Sequence, residues 1–207
     1  MSNINFKKIV ENLIDTFIYA GKVSLKLREK GLIKKIKSDN TPVSNGDLEV
    51  NEIITKKIFE LTPDIPIISE ETSDNKSIID LRNFWLIDPI DGTYDYINNL
   101  DEFTINAGLI IDRQPTAGLI YAPAKKRMFY SYGKELAFEK TGGEIMKLDC
   151  SKNFNKNEIK FVSYSNNLKP EIKKKHEEFK VKKFKRMKRW VKYCALCFPC
   201  ADLTHSN

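Results

Sequence analysis

The sequence predicts a mixed α+β fold in two parts, from three observations. Two amphipathic helical patterns open the chain, and strand-like runs separated by turn residues fill its middle. A polar, turn-rich stretch (KLDCSKNFNKNE) then precedes a shorter region where strand and helix patterns alternate. This order is not the regular βαβ alternation of a doubly wound sheet. The length of 207 residues suits one large domain or two small ones. A chain of this size can bury roughly 70% of the surface exposed by its unfolded form. With 41% hydrophobic and 11% aromatic residues, global disorder is excluded. No run of 18 apolar residues occurs, so no helical membrane span is expected. The opening MSNINFKKIVENLIDTF mixes acids and lysines into its apolar pattern, unlike a secretory leader, and the expected compartment is the cytoplasm.

The first helix is expected over residues 4–30. Phe6, Ile9, Val10, Leu13, Ile14, Phe17 and Ile18 recur at spacings of three and four, and Gly31 suits the cap. LIKKIK (32–37) reads as a short strand and SDNTPVSNGD (38–47) as a polar loop. A second helix is expected over 48–61, with Val50, Ile53, Ile54, Ile58 and Leu61 on one face and Pro63 as its stop. DIPIISEE is a short apolar strand, and FWLIDPIDGT a buried strand broken at Pro89. TYDYI is a short helix; FTINAGLIID, TAGLIYAP, RMFYSY, ELAFEK and the segment after TGG are strands. A boundary within 145–158 divides residues 1–148, helices plus an antiparallel sheet, from residues 149–207. In the latter, IKFVSYS and FKVKKFKRM read as strands, Pro170 to Glu178 as a helix, and 190–198 as helical.

The formal charge of +7 is uneven. Residues 173–192 hold eleven Lys/Arg against two Glu, a net of +9, leaving 24 basic and 26 acidic residues elsewhere, a net of −2. Such a patch could attract nucleic acid, acidic membrane or a phosphate-rich ligand. The interleaving of Phe179, Val181, Phe184, Met187 and Trp190 favours a solvated helix and strand with snorkelling lysines. Cys194, Cys197 and Cys200 form a CxxCxxC run that would need Cys150 to complete an iron–sulfur set. Their apolar setting, VKYCALCF, favours small buried hydrophobes instead, and no disulfide is expected.

The chemistry concentrates on Asp47, Glu70, Glu71, Asp88 and Asp91, all at strand ends or in adjoining loops. The strand FWLI delivers Asp88, Pro89 turns the chain, and Asp91 can then point to the same side. Gly92 permits close backbone approach, and Thr93 stands where a short helix would aim free N–H groups at an anion. Asp, Pro and Gly are also ordinary turn formers. Yet ending an apolar strand in two carboxylates is costly without a partner, and oxygen-only ligands suit Mg²⁺. Glu70 adds a third carboxylate from the end of PIISEE. A haloacid-dehalogenase-type phosphatase also carries D-x-D-G-T after an apolar strand, but its nucleophilic Asp would fall at Pro89. That favours attack by activated water over a phospho-aspartyl intermediate.

KSDNTPVSNGD (37–47), DIPIISEE (64–71), FWLIDPIDGTYDYI (84–97), EFTINAGLI (102–110) and GLIYAP (118–123) resemble the inositol monophosphatase superfamily. Within it they look most like the CysQ-type 3′(2′),5′-bisphosphate nucleotidases, over about residues 4–150. The resemblance implies a layered α/β sandwich and Mg²⁺-dependent hydrolysis of phosphomonoesters, with two or more ions per site. The implied substrate is a small nucleotide bisphosphate, adenosine 3′,5′-bisphosphate, a by-product of sulfate assimilation. By the same resemblance Glu70, Asp88, Asp91 and the backbone carbonyl of Ile90 hold metal, and Glu71 supports them from behind. Asp47 and Thr93 position and deprotonate the attacking water, with Glu70 also at the reaction centre. Glu70, Asp91, Gly92 and Thr93 line the substrate, the Gly92–Thr93 amides taking its phosphate.

Three departures from the family pattern fall late in the chain. No W-D-x-A-A-G motif occurs: Trp85 and Trp190 are not followed by Asp. The family's G-S-S-L-K-F-C reads Lys188-Arg189-Trp190-Val191-Lys192-Tyr193-Cys194, and A-D-L-Y-P-R reads Ala201-Asp202-Leu203-Thr204-His205. Asp202 matches the A-D of that pattern and His205 is a tail residue, so neither replaces the missing ligand. The expectation is therefore an incomplete C-terminal α/β unit, impaired turnover, and an exposed edge that favours a homo-oligomer. The alternatives are an inositol or sugar monophosphatase, and a non-catalytic remnant that binds a phosphorylated ligand or partner. A nucleic-acid binder using residues 173–192 has no recognised motif behind it.

Overall fold

Helix α1 spans Phe6–Lys30. Asn5 caps its start by accepting the Lys8 amide at 3.0 Å, and Gly31 ends it at φ 94° with its N–H given to Arg28 O. Strand β1, Lys34–Ile36, pairs antiparallel with β2, Pro42–Ser44, and α2 follows directly over Asn45–Leu61. The sequence reading differs here: what reads as a polar loop contains β2, and α2 starts three residues early. The cause is the capping pair Ser44 and Asp47, whose polarity imitates a loop while it opens a helix. The computed structural model describes residues 5–38, 40–72, 81–149, 160–163, 167–181 and 183–186. The expected helix at 190–198, the four cysteines, Asp202, His205 and residues 187–192 of the basic segment lie outside them.

The rest of the first unit is one sheet. Its strands are β3 (Ile67–Ser69), β4 (Phe84–Asp91), β5 (Thr104–Ile111), β6 (Gln114–Ala122), β7 (Arg127–Ser131), β8 (Ala137–Thr141) and β9 (Glu144–Leu148), hydrogen-bonded in that order. β3 runs parallel to β4, and the pairs from β4 to β8 are antiparallel. Helix α3, Thr93–Ile97, separates β4 from β5, and a 3₁₀ turn, Pro123–Lys125, separates β6 from β7. β4 continues through Pro89 rather than ending there. What breaks is the register: Asp88 pairs with Asn106, and the next pair is Asp91 with Thr104. Three steps on β4 meet two on β5, which is a β-bulge.

Both long helices supply the core. α1 packs on α2, β6 and β7, and α2 packs on β3 and β4. Val10, Leu13 and Phe17 of α1 and Val50, Ile54 and Ile58 of α2 meet Trp85 and Ile87 of β4 and Ile105 and Leu109 of β5. Trp85 is fully buried, with its Nε1–H donated to Thr62 Oγ1 at 3.0 Å. Alternation then places Leu86 and Asp88 on the opposite face of the sheet, and Leu86 is 49% exposed.

The chain divides into compact units at residue 147/148. In the second, β10 (Lys160–Ser163) pairs parallel with β11 (Lys183–Arg186), and α4 (Pro170–Glu178) connects them. Among the described residues, no helix is long and apolar enough to cross a membrane.

Gly46 is the tightest spot near the start of α2. A Cβ there would overlap the Tyr96 ring, whose Cε1 would lie 2.7 Å away, and Tyr96 is pinned by its hydroxyl bond to Ser24 O at 2.7 Å. Gly46→Ala is expected to destabilise the protein by about 1–3 kcal/mol despite its better helix propensity. Urea denaturation measures this, and an unchanged midpoint would contradict the packing.

Candidate metal centre

The N-terminus of α2 builds the first half of the site. Asp47 is buried, and its Oδ2 accepts both the Ser44 amide at 2.9 Å and the Ser44 hydroxyl at 2.6 Å. With Oδ2 held, Oδ1 faces the turn after β4 and accepts Thr93 Oγ1–H at 3.0 Å. The Thr93 hydroxyl also lies 3.2 Å from the carbonyl of Ile90, so its one proton has two acceptors. Between these residues, Gly92 adopts the left-handed conformation, φ 100° and ψ 39°, which favours glycine over any residue with a Cβ.

The second half is acidic. Residues three apart on a regular strand face opposite ways; the bulge after Asp88 brings Asp91 round to Asp88's side. Glu70 follows β3, with its N–H given to Ile87 O at 3.1 Å. Burial first, then repulsion from Glu70 and Asp91, pushes the Asp88 carboxyl up to about 8. Behind Glu70, the Glu71 side chain is 5% exposed and meets Lys37 Nζ at 2.9 Å, while Glu70 lies 3.8 Å from the same ammonium. Burial pushes the Glu71 carboxyl up although Lys37 pulls it down. Burial also acts to lower Lys37, but the Glu71 hydrogen bond and the charges of Glu71, Glu70 and Asp47 leave it raised.

The structure therefore gathers the expected residues in two groups. Asp47 and Thr93 touch, and Ile90 O adjoins them; nearby, Glu70 and Asp91 both repel the Asp88 carboxylate. Among the described residues, no three acidic, His or Cys side chains are drawn into a closed coordination set. The electrostatics nonetheless fit a cation. Burial and the charges of Glu70, Asp91 and Asp47 all raise the cost of a charged Asp88 carboxylate. A hard divalent ion is the group that oxygen donors in this state best accommodate. Sequence reading missed Lys37, whose role comes from Glu71 on a distant loop. It also missed Asn51, whose Oδ1 accepts Ser69 Oγ–H at 2.6 Å beneath β3. Asn51 lies among the apolar positions of α2, and that break in the pattern was the available signal.

The inositol monophosphatase family model matches residues 7–205. The chain belongs to the inositol monophosphatase family. It is 34% identical to the 3′(2′),5′-bisphosphate nucleotidase CysQ of Aggregatibacter actinomycetemcomitans, over 68% of this chain and 53% of that one. It is 31% identical to CysQ of Buchnera aphidicola, over 98% of this chain and 80% of that one. The chain thus spans about half the length of the first relative. Its fold resembles that of an IMPase/NADP phosphatase solved with Mg²⁺ and phosphate, at TM-score 0.70 and 15% identity, over 88% of this chain and 68% of that one. The layered α/β sandwich of the inositol monophosphatase family is thus the fold of this chain.

The raised Asp88 gives a pH dependence to the metal-free protein. A folded-state value near 8, above the ordinary 3.8, means that the folded chain retains a proton that the unfolded chain releases first. Stability attributable to this group therefore falls as pH rises from about 4 to about 8. In EDTA, Asp88→Asn is expected to raise Tm at pH 8 and to flatten the dependence. Equal Tm values for the two proteins at pH 8 would contradict this electrostatic picture.

Proposed function

We propose that this chain is a Mg²⁺-dependent phosphomonoesterase of the 3′(2′),5′-bisphosphate nucleotidase type, which removes the 3′-phosphate of adenosine 3′,5′-bisphosphate. The observation that carries this reading is the hydrogen bond from Thr93 to buried Asp47, beside an Asp88 carboxyl crowded by Glu70 and Asp91. Similarity to two CysQ nucleotidases supports the substrate class.

Glu70, Asp88, Asp91 and the Ile90 carbonyl would hold the ions. When bound, Mg²⁺ supplies Lewis acidity towards the phosphoryl oxygens and the departing alkoxide. Asp47 acts as the terminal proton acceptor. Ser44 fixes its Oδ2, so the basic lone pairs of Oδ1 are aimed at Thr93. Thr93 takes a proton from water at Oγ1 as it passes its own to Asp47. The water oxygen forms the new bond to phosphorus, the P–O3′ bond breaks, and its electron pair leaves on O3′. The Gly92 and Thr93 amides orient the phosphoryl group, with no Cβ at Gly92 to obstruct it. Glu71, tied to Lys37, limits how far Glu70 can swing from Asp88.

Phosphate release from adenosine 3′,5′-bisphosphate, with inositol 1-phosphate in parallel, tests this reading. Thr93→Val is expected to lower kcat by at least about 10²-fold with little change in KM, the usual range for loss of general-base catalysis. Failure to release phosphate from the nucleotide with Mg²⁺ present, or full activity in Thr93→Val, would overturn it.

A further inference from the structure

Four buried side-chain atoms without a hydrogen-bond partner occur together where β4 meets β5. They are Asp88 Oδ1, Thr104 Oγ1, and both Asn106 Oδ1 and Asn106 Nδ2. The sheet register makes them neighbours: Asp88 lies directly across from Asn106, and Asp91 across from Thr104. Directly opposed residues of an antiparallel pair have Cβ atoms about 4.5–5.5 Å apart, within reach of a short amide and carboxylate. Asn106 is 9% exposed and Thr104 is 1% exposed, so solvent gives them little relief. An amide with neither end satisfied is a poor choice for packing alone, because leaving its donor and acceptor bare costs stability.

We propose that Asn106 is a positioning residue for the metal centre: the Asn106 Nδ2–H and Asp88 Oδ1 face each other unbonded in this structure, and with a cation held on the other carboxylate oxygen Nδ2–H would turn to donate to Oδ1. This rests on the metal reading above. A carboxylate that holds an ion needs its plane fixed, and a hydrogen bond to the rear oxygen does so. No side chain donates to Asp88 Oδ1 among the described residues, and Asn106 brings an N–H without an acceptor to the facing position. Thr104 stands in the same relation to the Asp91 side of the bulge, one pair further along. The bulge separates these two pairings, so Asp88 and Asp91 each face their own polar residue on β5.

The test is Mg²⁺ titration of substrate-free protein by calorimetry, with Tm read in EDTA as a second measurement. Asn106→Leu is close in volume and removes both bare polar atoms, so its metal-free Tm is expected to equal or exceed that of the unaltered chain. Its Mg²⁺ affinity is expected to fall about 10–100-fold, the usual effect of losing a hydrogen bond to a metal ligand. Asn106→Ser, which retains a donor in a smaller side chain, serves where the leucine variant does not fold, and is expected to lose affinity less. Opposite movements of Tm and affinity separate positioning from packing. Mg²⁺ affinity within twofold of the unaltered chain, in whichever variant folds, overturns the proposal alone. No Mg²⁺ binding by the unaltered chain overturns the metal reading and this proposal together.

Discussion

The bonds around Asp47 connect the fold to the site. One carboxylate oxygen closes the first turn of α2 through the Ser44 amide and hydroxyl, and the other meets Thr93 beyond the end of β4. A carboxylate at a helix N-terminus is favoured by the local dipole and by the N–H groups left free there. Asp47 can therefore be buried there. Its position depends on the seating of α2, and that depends on Val50, Ile54 and Ile58 packing on the sheet. Gly46 lets Tyr96 close over this turn, and Tyr96 ties it to α1 through Ser24. Any shift of α2 on β4 would thus alter the aim of Oδ1.

β4 divides two kinds of chemistry by its alternation. Trp85 and Ile87 enter the helix-covered core, while Asp88 belongs to the other face. The apolar face provides the stability, and the acidic end consumes some of it, since Glu70 and Asp91 crowd the Asp88 carboxyl. Lys37 offsets part of this, with Glu71 taking the short contact and Glu70 the longer one. The charges of Glu70 and Asp91 against Asp88 leave this end of β4 acidic.

Much of this was legible in the chain. The three-and-four spacing of Val10, Leu13 and Phe17 forecasts α1, and the same pattern forecasts the buried face of α2. Asp47, Glu70, Glu71, Asp88 and Asp91 were readable as acids at strand ends or in loops beside them and Thr93 as a helix start, while the pairing of Asp47 with Thr93 came only through the family resemblance. The start of α2 was not, because Ser44 and Asp47 use the same residue types for a cap as for a loop. The continuation of β4 through Pro89 was hidden as well. Proline removes a donor, which reads as a stop, and only the opposing strand reveals the bulge. Asn106 is polar in an apolar run, but the residue facing it, Asp88, is set by cross-strand register, which local periodicity does not contain.

The register of β4 against β5 has a folding consequence. A slip by one residue would exchange the faces of the strand, sending Asp88 toward Ile54 and Trp85 into the polar side. A carboxylate without a partner in that core is costly enough to reject the misaligned pairing. The acid that burdens the finished site therefore acts as a proofreader during assembly, and a chain stripped of it would lose discrimination between its correct sheet and the nearest wrong one.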